Sequence, residues 1–233
     1  MPIQYTGGVV LPTPTFFNLP EAKRDRILEV SLEEFASNPY DRVSVAQIAD
    51  KADIAKGSVY QYFEDKLDLY RHLLELASRA KTRYFSEHVS LGGEDLFEDL
   101  ETLFRAGTAF ARENPRYHRL AYRFMNSSVR DQILPDLRDM SEDFLRGMVE
   151  SAHARRQIRS DVSADMAVYF VNTLLTEFGT YVLKHSEGNW EELAMESTGS
   201  IGGASWWGEM IEELIRMIRS GLADGSGRDG WEG

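Results

Sequence analysis

Residues 44–69 read SVAQIADKADIAKGSVYQYFEDKLDL, and this stretch decides the fold. Ser44 is followed three residues later by Gln47, a spacing typical of a capping box at the start of a helix. Further on, Val59 and Phe63 are spaced four apart, which places both on one side of a second short helix. They are the only clear core residues of that segment, so its other side is free for a function. The pattern predicts two short helices joined by a tight turn.

One helix precedes this pair and a longer helix follows it. Asn18 opens the first helix with a capping-box-like pattern, and Pro39 ends it. Asp65 is predicted to cap the longer helix, in which leucine and alanine recur at helical spacing until the two glycines at 92 and 93. The small unit is therefore braced by a helix on either side of the pair.

The rest of the chain shows helical spacing of apolar residues and no useful strand alternation. The predicted fold class is all-α, with an N-terminal three-helix helix-turn-helix domain followed by a larger helical domain. The predicted divisions are an extended arm at 1–17 tethered by Phe16 and Phe17, the helix-turn-helix domain at 18–68, the larger domain at 69–222 and a disordered tail at 223–233.

Composition narrows the class of protein. With 233 residues, 42% hydrophobic and 27% charged, the chain is long enough to bury a substantial core. The absence of cysteine excludes disulfides and cysteine-based zinc sites. The sequence has no recognisable export signal and no apolar run near the roughly 20 residues of a membrane span. We therefore predict a cytoplasmic protein without membrane contact.

Catalytic motifs are missing from the sequence. The five histidines, His118 among them, occur at spacings that do not suit metal ligation. Neither an HExxH pattern, nor a nucleophile motif, nor a glycine-rich phosphate loop is present. The prediction is a protein that is not an enzyme and that uses no cofactor or metal.

Net charge argues against a nucleic-acid partner. The chain carries a formal charge of -12, and residues 20–66 contain seven Lys and Arg against ten Asp and Glu. Phosphate contacts depend on cations, but only on those within a Debye length of about 10 Å. The sum therefore leaves open whether one face of this unit is basic.

The order and spacing of the residues in 44–69 closely resemble the TetR/AcrR family of bacterial transcriptional regulators. The likeness extends from about Phe16 to Tyr70, and beyond it only the number and order of the helices are similar. In a helix-turn-helix, the second helix of the pair lies in the major groove of DNA. The resemblance implies a homodimer that binds a palindromic operator in double-stranded DNA and senses a small-molecule effector with the later helices.

The resemblance also implies which residues contact DNA. Lys56, Ser58 and Gln61 are expected to reach base edges, and Gly57 to permit close approach of the backbone. The full predicted set is Ser44, Lys56, Gly57, Ser58, Tyr60, Gln61, Tyr62 and Lys66.

The remaining members of this set are expected to contact phosphates. Tyr60 and Tyr62 offer hydroxyls, and Lys66 adds its charge at a helix start. Ser44 offers the exposed amides of its helix. Each has a plainer alternative: the tyrosines can be core aromatics, the lysine a solvated surface residue and the serine only a cap.

Two residues depart from the family pattern. Asp53 stands in the turn where the family usually has glycine, so the turn is expected to persist at some strain. Ala55 replaces a common serine and loses a side-chain cap on the groove helix. With acidic residues close by, we expect modest DNA affinity that falls steeply with salt.

The later helices are expected to enclose the effector. Aromatic and methionine side chains of the kind that line apolar pockets cluster there, although any single one of them is more often ordinary core. Glu177 either is buried with a cationic partner or is exposed at a dimer edge. The predicted pocket residues are Tyr117, Tyr122, Phe144, Met148, Phe170, Leu174, Glu177 and Tyr181.

The last helix carries an apolar stripe wide enough for its own domain and a second subunit. Its predicted dimer contacts are Trp207, Met210, Ile211, Leu214 and Ile218. The sequence thus predicts a ligand-responsive regulator, most simply a repressor released from its operator by a small, largely apolar effector. The alternative is a dimeric ligand-binding module whose helix-turn-helix no longer binds DNA.

Overall fold

The structure, a computed structural model, describes residues 12–185 and 206–223 of the chain. Most of the predicted arm and tail, and the side chain of Trp207, lie outside the described residues. The helices are α1 (Pro14–Phe17), α2 (Glu21–Ser37), α3 (Val45–Ala52), α4 (Lys56–Tyr62), α5 (Lys66–His88), α6 (Leu96–Glu113), α7 (Pro115–Met125), α8 (Arg130–Ala154), α9 (Ala164–His185) and α10 (Trp206–Leu222).

The all-α prediction is confirmed. Over 12–185 and 206–223 the chain forms helices and no strand, apart from a single antiparallel bridge between Ile158 and Ala223. A 3-10 turn, Tyr40–Arg42, stands between α2 and α3. In the same two ranges, no helix is long and apolar enough to cross a membrane.

The chain divides into two compact units. The N-terminal unit comprises Met1–Arg83 and Asn114–Leu137, and the C-terminal unit comprises Tyr84–Glu113 and Arg138–Gly233. The predicted boundary after residue 68 does not coincide with this division. Helix α7 belongs with the helix-turn-helix because it packs along α2, with its apolar side in the same core.

Phe16 lies at the centre of the core of the N-terminal unit and is fully buried. Its ring centroid is 4.9 Å from that of Phe63 and 6.0 Å from those of Tyr62 and His72. The predicted tether is therefore correct for Phe16, but Phe17 is half exposed. Residues 14–17 also form a helical turn instead of an extended strand, because the proline at position 14 is well suited to a first turn.

Two of the predicted caps are not formed. Among the described residues, Ser44 makes no side-chain capping bond to α3, and Asn18 does not cap α2, because α2 begins at Glu21 with Pro20 at its N-cap while Asn18 ends α1. The predicted cap at Asp65 is present, since its Oδ1 accepts the Asp68 N–H at 2.8 Å. Asp68 in turn accepts the Glu64 N–H at 3.0 Å, so two carboxylates satisfy amides at the start of α5.

The C-terminal unit has its own core, built from α6, α8, α9 and α10. Polar contacts on the surface of this unit join α10 to α6 and to Asp95, the residue that precedes α6. Arg105 contacts Glu212 at 3.0 Å, and Arg219 contacts Asp95 at 3.0 Å while lying over the ring of Phe97. Helix α10 is thus fixed to its own unit along one side.

Buried His72 gives the N-terminal unit a predictable response to acid. Desolvation, with a smaller contribution from the charge of Arg79, lowers the pKa of His72 from 6.5 to about 4. The folded state therefore favours the neutral ring. The contribution of this ring to stability is fully present above pH 6.5 and is lost as the pH falls towards 4. Between about pH 7 and about pH 5, we expect the wild type to lose about 2 kcal/mol of unfolding free energy because of this ring. The variant His72→Phe has no such ring and should keep that free energy.

Urea unfolding at the two pH values measures this difference. The matched control is His88→Gln, which changes an exposed histidine of the same helix and should leave the wild-type pH dependence unaltered. Identical pH dependence in His72→Phe and the wild type would contradict the assignment.

Candidate nucleic-acid interface

The turn between α3 and α4 is tight and left-handed at one residue. Asp53 ends α3 with φ 58° and ψ 48°, a conformation that favours glycine and that aspartate tolerates better than most residues. The Asp53 N–H donates to the Asp50 carbonyl at 3.2 Å, and the Ile54 N–H to that of Ala49 at 3.0 Å. The strained turn expected from the sequence is confirmed, and it brings α4 back across α3.

Helix α4 has one buried and one exposed side. Val59 is buried in the core beneath it. Lys56, Gly57 and Gln61 are exposed, and Tyr60 retains 49% of its surface. We call these four residues the groove face. A Cβ at Gly57 would meet nothing within 4 Å, so this position is open to an approaching molecule.

Tyr62 is not part of the groove face. It is 4% exposed and packs against Phe16, so the core alternative is correct and the predicted phosphate contact is not supported. Ser58 is half-buried beside the groove face, and its N–H closes the first turn of α4 on Ala55 at 2.8 Å. As expected, among the described side chains none caps α4 at Ala55.

Thr13 holds the end of α4 and was missed by the sequence analysis. Its N–H donates to the Tyr62 carbonyl at 2.9 Å, and its hydroxyl to the Gln61 carbonyl at 2.6 Å. These carbonyls end the helix and need donors from elsewhere. No local pattern signals the contact, because the two partners are 48 residues apart.

Lys66 makes internal contacts that the sequence did not predict. Its ammonium donates to the carbonyls of Tyr40 at 3.0 Å and Val43 at 3.3 Å, and lies 4.2 Å from the centre of the Tyr40 ring. The lysine is half-buried, which contradicts the solvated-surface alternative. In this structure it fixes the start of α5 to the segment before α3.

Several acidic side chains of the N-terminal unit are engaged internally. Glu34 is nearly buried and forms an ion pair with Lys51, while Asp65 and Asp68 lie at the start of α5. Burial raises the pKa of Asp68, the direction expected for a desolvated carboxyl. Each of these carboxylates is therefore held by a partner within the unit.

Ser44 stands at the N-cap position of α3 and is half-buried. The first amides of a helix lack intrahelical acceptors and face outward along its axis, where the helix dipole favours an anion. Ser44 thus lies where the predicted phosphate contact requires it, and its side chain makes no capping bond to α3 in the described part of the chain.

The predicted pocket residues are distributed over both units. Tyr117 packs against the core of the N-terminal unit, and Tyr122 is half-buried in the same helix. Met148 and Leu174 pack together against the core of the C-terminal unit. Glu177 is exposed, which agrees with the second of its two alternatives and not with burial beside a cation, while its place at a dimer edge stays a prediction.

The three remaining pocket residues are aromatic and at least partly exposed: Phe144, Phe170 and Tyr181. Exposed side chains of this kind do not form the wall of a closed cavity. They are better suited to cover another surface, and the pocket itself stays a prediction.

Two predicted dimer contacts are core residues instead. Ile211 and Ile218 are 0% exposed and belong to the core of the C-terminal unit, so they offer no surface to a partner. Met210 and Leu214 are half-buried, and Met217, which was not predicted, is 65% exposed. Helix α10 turns one apolar row inward and leaves a neighbouring row outside.

Comparison with known families agrees with this geometry. Residues 27–73 match the family model "Bacterial regulatory proteins, tetR family", which covers the helix-turn-helix. Residues 94–221, more than half of the chain, match "Tetracyclin repressor-like, C-terminal domain". The chain belongs to the TetR family. It is a DNA-binding regulator of transcription, in a family made up of transcriptional regulators.

Individual TetR-family proteins resemble most of the chain. The "Probable acrEF/envCD operon repressor" of Escherichia coli K12 is 20% identical over 158 residues, covering 64% of this chain and 70% of the relative. The solved TetR-family regulator of Chloroflexus aurantiacus J-10-FL is 34% identical with a TM-score of 0.75, covering 92% of this chain and 100% of that one.

A more distant neighbour shares the fold alone. FadR of Bacillus subtilis, solved in complex with stearoyl-CoA, has a TM-score of 0.65 at 16% identity, covering 84% of this chain and 98% of that one. The helical order of the TetR fold therefore persists at low identity.

The left-handed turn residue yields a stability prediction. Asp53→Gly should raise the unfolding free energy by roughly 0.5 kcal/mol, since glycine adopts positive φ without steric cost, while Asp53→Ala should lower it by about 1 kcal/mol. Urea denaturation of both variants checks the prediction. A glycine variant less stable than the alanine variant would show that the turn is not strained.

Proposed function

We propose that this protein is a ligand-responsive repressor that binds a palindromic operator as a homodimer and leaves it when a small, largely apolar effector binds. The observation that carries the proposal is the groove face. Helix α4 is held by buried residues on one side and by Thr13 at its end, and presents Lys56, Tyr60 and Gln61 outward.

The chemistry of the groove face suits a duplex. Glutamine pairs with adenine through two hydrogen bonds in the major groove, while lysine and a tyrosine hydroxyl bind base edges or phosphates. Ser44 adds the helix amides of α3 at a second point on the same two-helix unit. A dimer places two such faces about 34 Å apart, which matches successive major grooves and a palindromic site.

A second copy of the chain is the proposed occupant of the exposed apolar surface of the C-terminal unit. Met166, Tyr169 and Phe170 are exposed on α9 at helical spacing, and Met217 is exposed on α10. Between residues 166 and 181 the only charged residue is Glu177, in a chain that is 27% charged. Exposed apolar side chains that lie together often mark a protein–protein interface, and homodimer interfaces are more apolar than the rest of a protein surface.

The proposed effector is apolar because of the aromatic and methionine side chains of the later helices and because a protein of this fold, FadR of Bacillus subtilis, was solved with stearoyl-CoA. A ligand that binds more tightly to an arrangement in which the two groove faces do not match the operator lowers DNA affinity by shifting the population. Repression agrees with the name of the E. coli relative.

The first experiment is selection of genomic DNA fragments by the purified protein, with a triple Lys56→Ala, Tyr60→Ala and Gln61→Ala variant in parallel. Enrichment of a palindrome that the variant fails to enrich supports the proposal. No enrichment by either protein at low salt favours the alternative suggested by the acidic charge, a ligand-binding module that no longer binds DNA.

The selected operator then tests the role of Gln61. We expect Gln61→Ala to weaken operator binding by about 1–3 kcal/mol, because a base contact is lost, and to change binding to random DNA much less. Fluorescence anisotropy at fixed salt measures both affinities. Arg116→Ala, which removes an exposed cation from α7, is the control. Equal losses on operator and random DNA would exclude a base contact.

The dimer surface is tested by adding charge to it. Tyr169→Glu combined with Met217→Glu should convert the dimer to monomer at micromolar concentration, because burying two carboxylates at an apolar interface is costly. Light scattering after size exclusion gives the mass. Ser151→Glu, at an exposed position of α8, is the control and should remain dimeric. A dimeric double variant would place the interface elsewhere.

A further inference from the structure

The segment between α2 and α3, residues 38–44, is bound by side chains from distant parts of the chain. We call it the α2–α3 link. Lys66 of α5 holds the carbonyls of Tyr40 and Val43 from one side. The turn between α7 and α8 holds it at Asp41, through Ser128. The link leads directly into Ser44, where α3 begins.

The contact between Ser128 and Asp41 is a single shared hydrogen bond. The Ser128 hydroxyl lies 2.9 Å from one carboxylate oxygen and 3.1 Å from the other, and donates its proton between them. Nearby, Arg123 of α7 donates from Nη2 to the Ser37 carbonyl at 3.3 Å. Both residues of the shared bond are exposed. Exposed polar contacts of this kind contribute little to stability and can break without unfolding.

Beneath this exposed bond the same elements share an aromatic core. The ring centroid of Tyr70, on α5, lies 4.6 Å from Phe35, 5.1 Å from Tyr40 and 6.3 Å from Phe124 on α7. Tyr70 therefore packs against the link, α2 and α7 at once. A shift of α7 would therefore move the link through the packing around Tyr70. It would also move the Asp41 side chain through its bond to Ser128.

The charge of Asp41 matters because of its position. It lies three residues before Ser44, next to the helix start that is placed to hold a DNA phosphate. A carboxylate repels a bound phosphate more strongly the closer it lies, so a bond that holds the carboxylate away from the phosphate weakens the repulsion.

We propose that Ser128 and Asp41 are positioning residues for the DNA contact of α3. The Ser128 hydroxyl holds the Asp41 carboxylate towards the α7–α8 turn, and an effector that displaces this turn releases the carboxylate towards the phosphate at Ser44. The inference rests on the proposed function, since it requires DNA at the start of α3. It differs from a role for Lys66, whose half-buried contacts to backbone carbonyls are unsuited to reversible breakage.

A double-mutant cycle on operator affinity tests the inference in the full-length protein. The variants are Ser128→Ala, Asp41→Asn and the two combined, measured by fluorescence anisotropy at low and moderate salt. We expect Ser128→Ala to weaken binding about three- to tenfold and Asp41→Asn to bind at least as tightly as the wild type. In the Asp41→Asn background, the serine change should then have no effect.

Two further variants separate positioning from structural damage. Ser128→Thr keeps a hydroxyl and should restore wild-type affinity. Ser127→Ala removes a neighbouring hydroxyl that bonds to the Phe124 carbonyl of its own turn at 2.8 Å, and should bind DNA like the wild type. Thermal unfolding should be the same for all variants within a few degrees.

The outcomes are distinct. Two results would overturn the positioning role and leave the proposed function intact. The first is that Ser128→Ala binds the operator with wild-type affinity. The second is that the serine change weakens binding equally whether residue 41 is Asp or Asn. Failure of the wild type itself to bind any selected DNA overturns the proposed function, and the positioning role with it.

Discussion

A seven-residue helix is too short to persist in water, so the burial of the inner side of α4 is the constraint on which the interface depends. Val59 and Tyr62 enter a core centred on Phe16, and Thr13 binds the carbonyls at the end of the helix. The preceding turn is left-handed at Asp53, and the helix start has no cap at Ala55. Tertiary packing thus supplies the order that local interactions do not, and the outward face is left rigid and available.

The same packing gives many carboxylates of this acidic unit a partner within it. Its carboxylates are used at helix starts, in the ion pair of Glu34 with Lys51, and in the bond from Ser128 to Asp41. What a phosphate meets is a local surface, because charges beyond a Debye length are screened. Net charge therefore sets the strength and the salt dependence of binding more than it sets whether binding occurs.

The regulation that we propose depends on the placement of α7 in the DNA-binding unit. Since α7 and the start of α8 belong to the N-terminal unit, and α7 packs along α2, a residue that follows α7 in the chain can act directly on the segment before α3. Tyr70 provides the buried part of this connection and Ser128 its exposed part. A signal that arrives at α7 needs no long path to the groove face.

The sequence alone determined the features that depend on neighbours within about one helical turn. These include the all-helical class, the strained turn at Asp53, the missing cap at Ala55 and the cap at Asp65. Each follows from backbone sterics or from a bond across three or four residues, and such short-range preferences can be read directly from residue types and spacing.

Only the tertiary structure decided which face of each element is covered. Packing buries Tyr62 and leaves Tyr60 exposed, and it buries Ile211 and Ile218 in the core. It also brings Ser128 into contact with Asp41, 87 residues away in the chain. Helical periodicity shows that residues share a side, but it does not identify the element that packs there. That choice depends on the packing of the whole unit, and so does the question of which polar groups remain free to meet DNA.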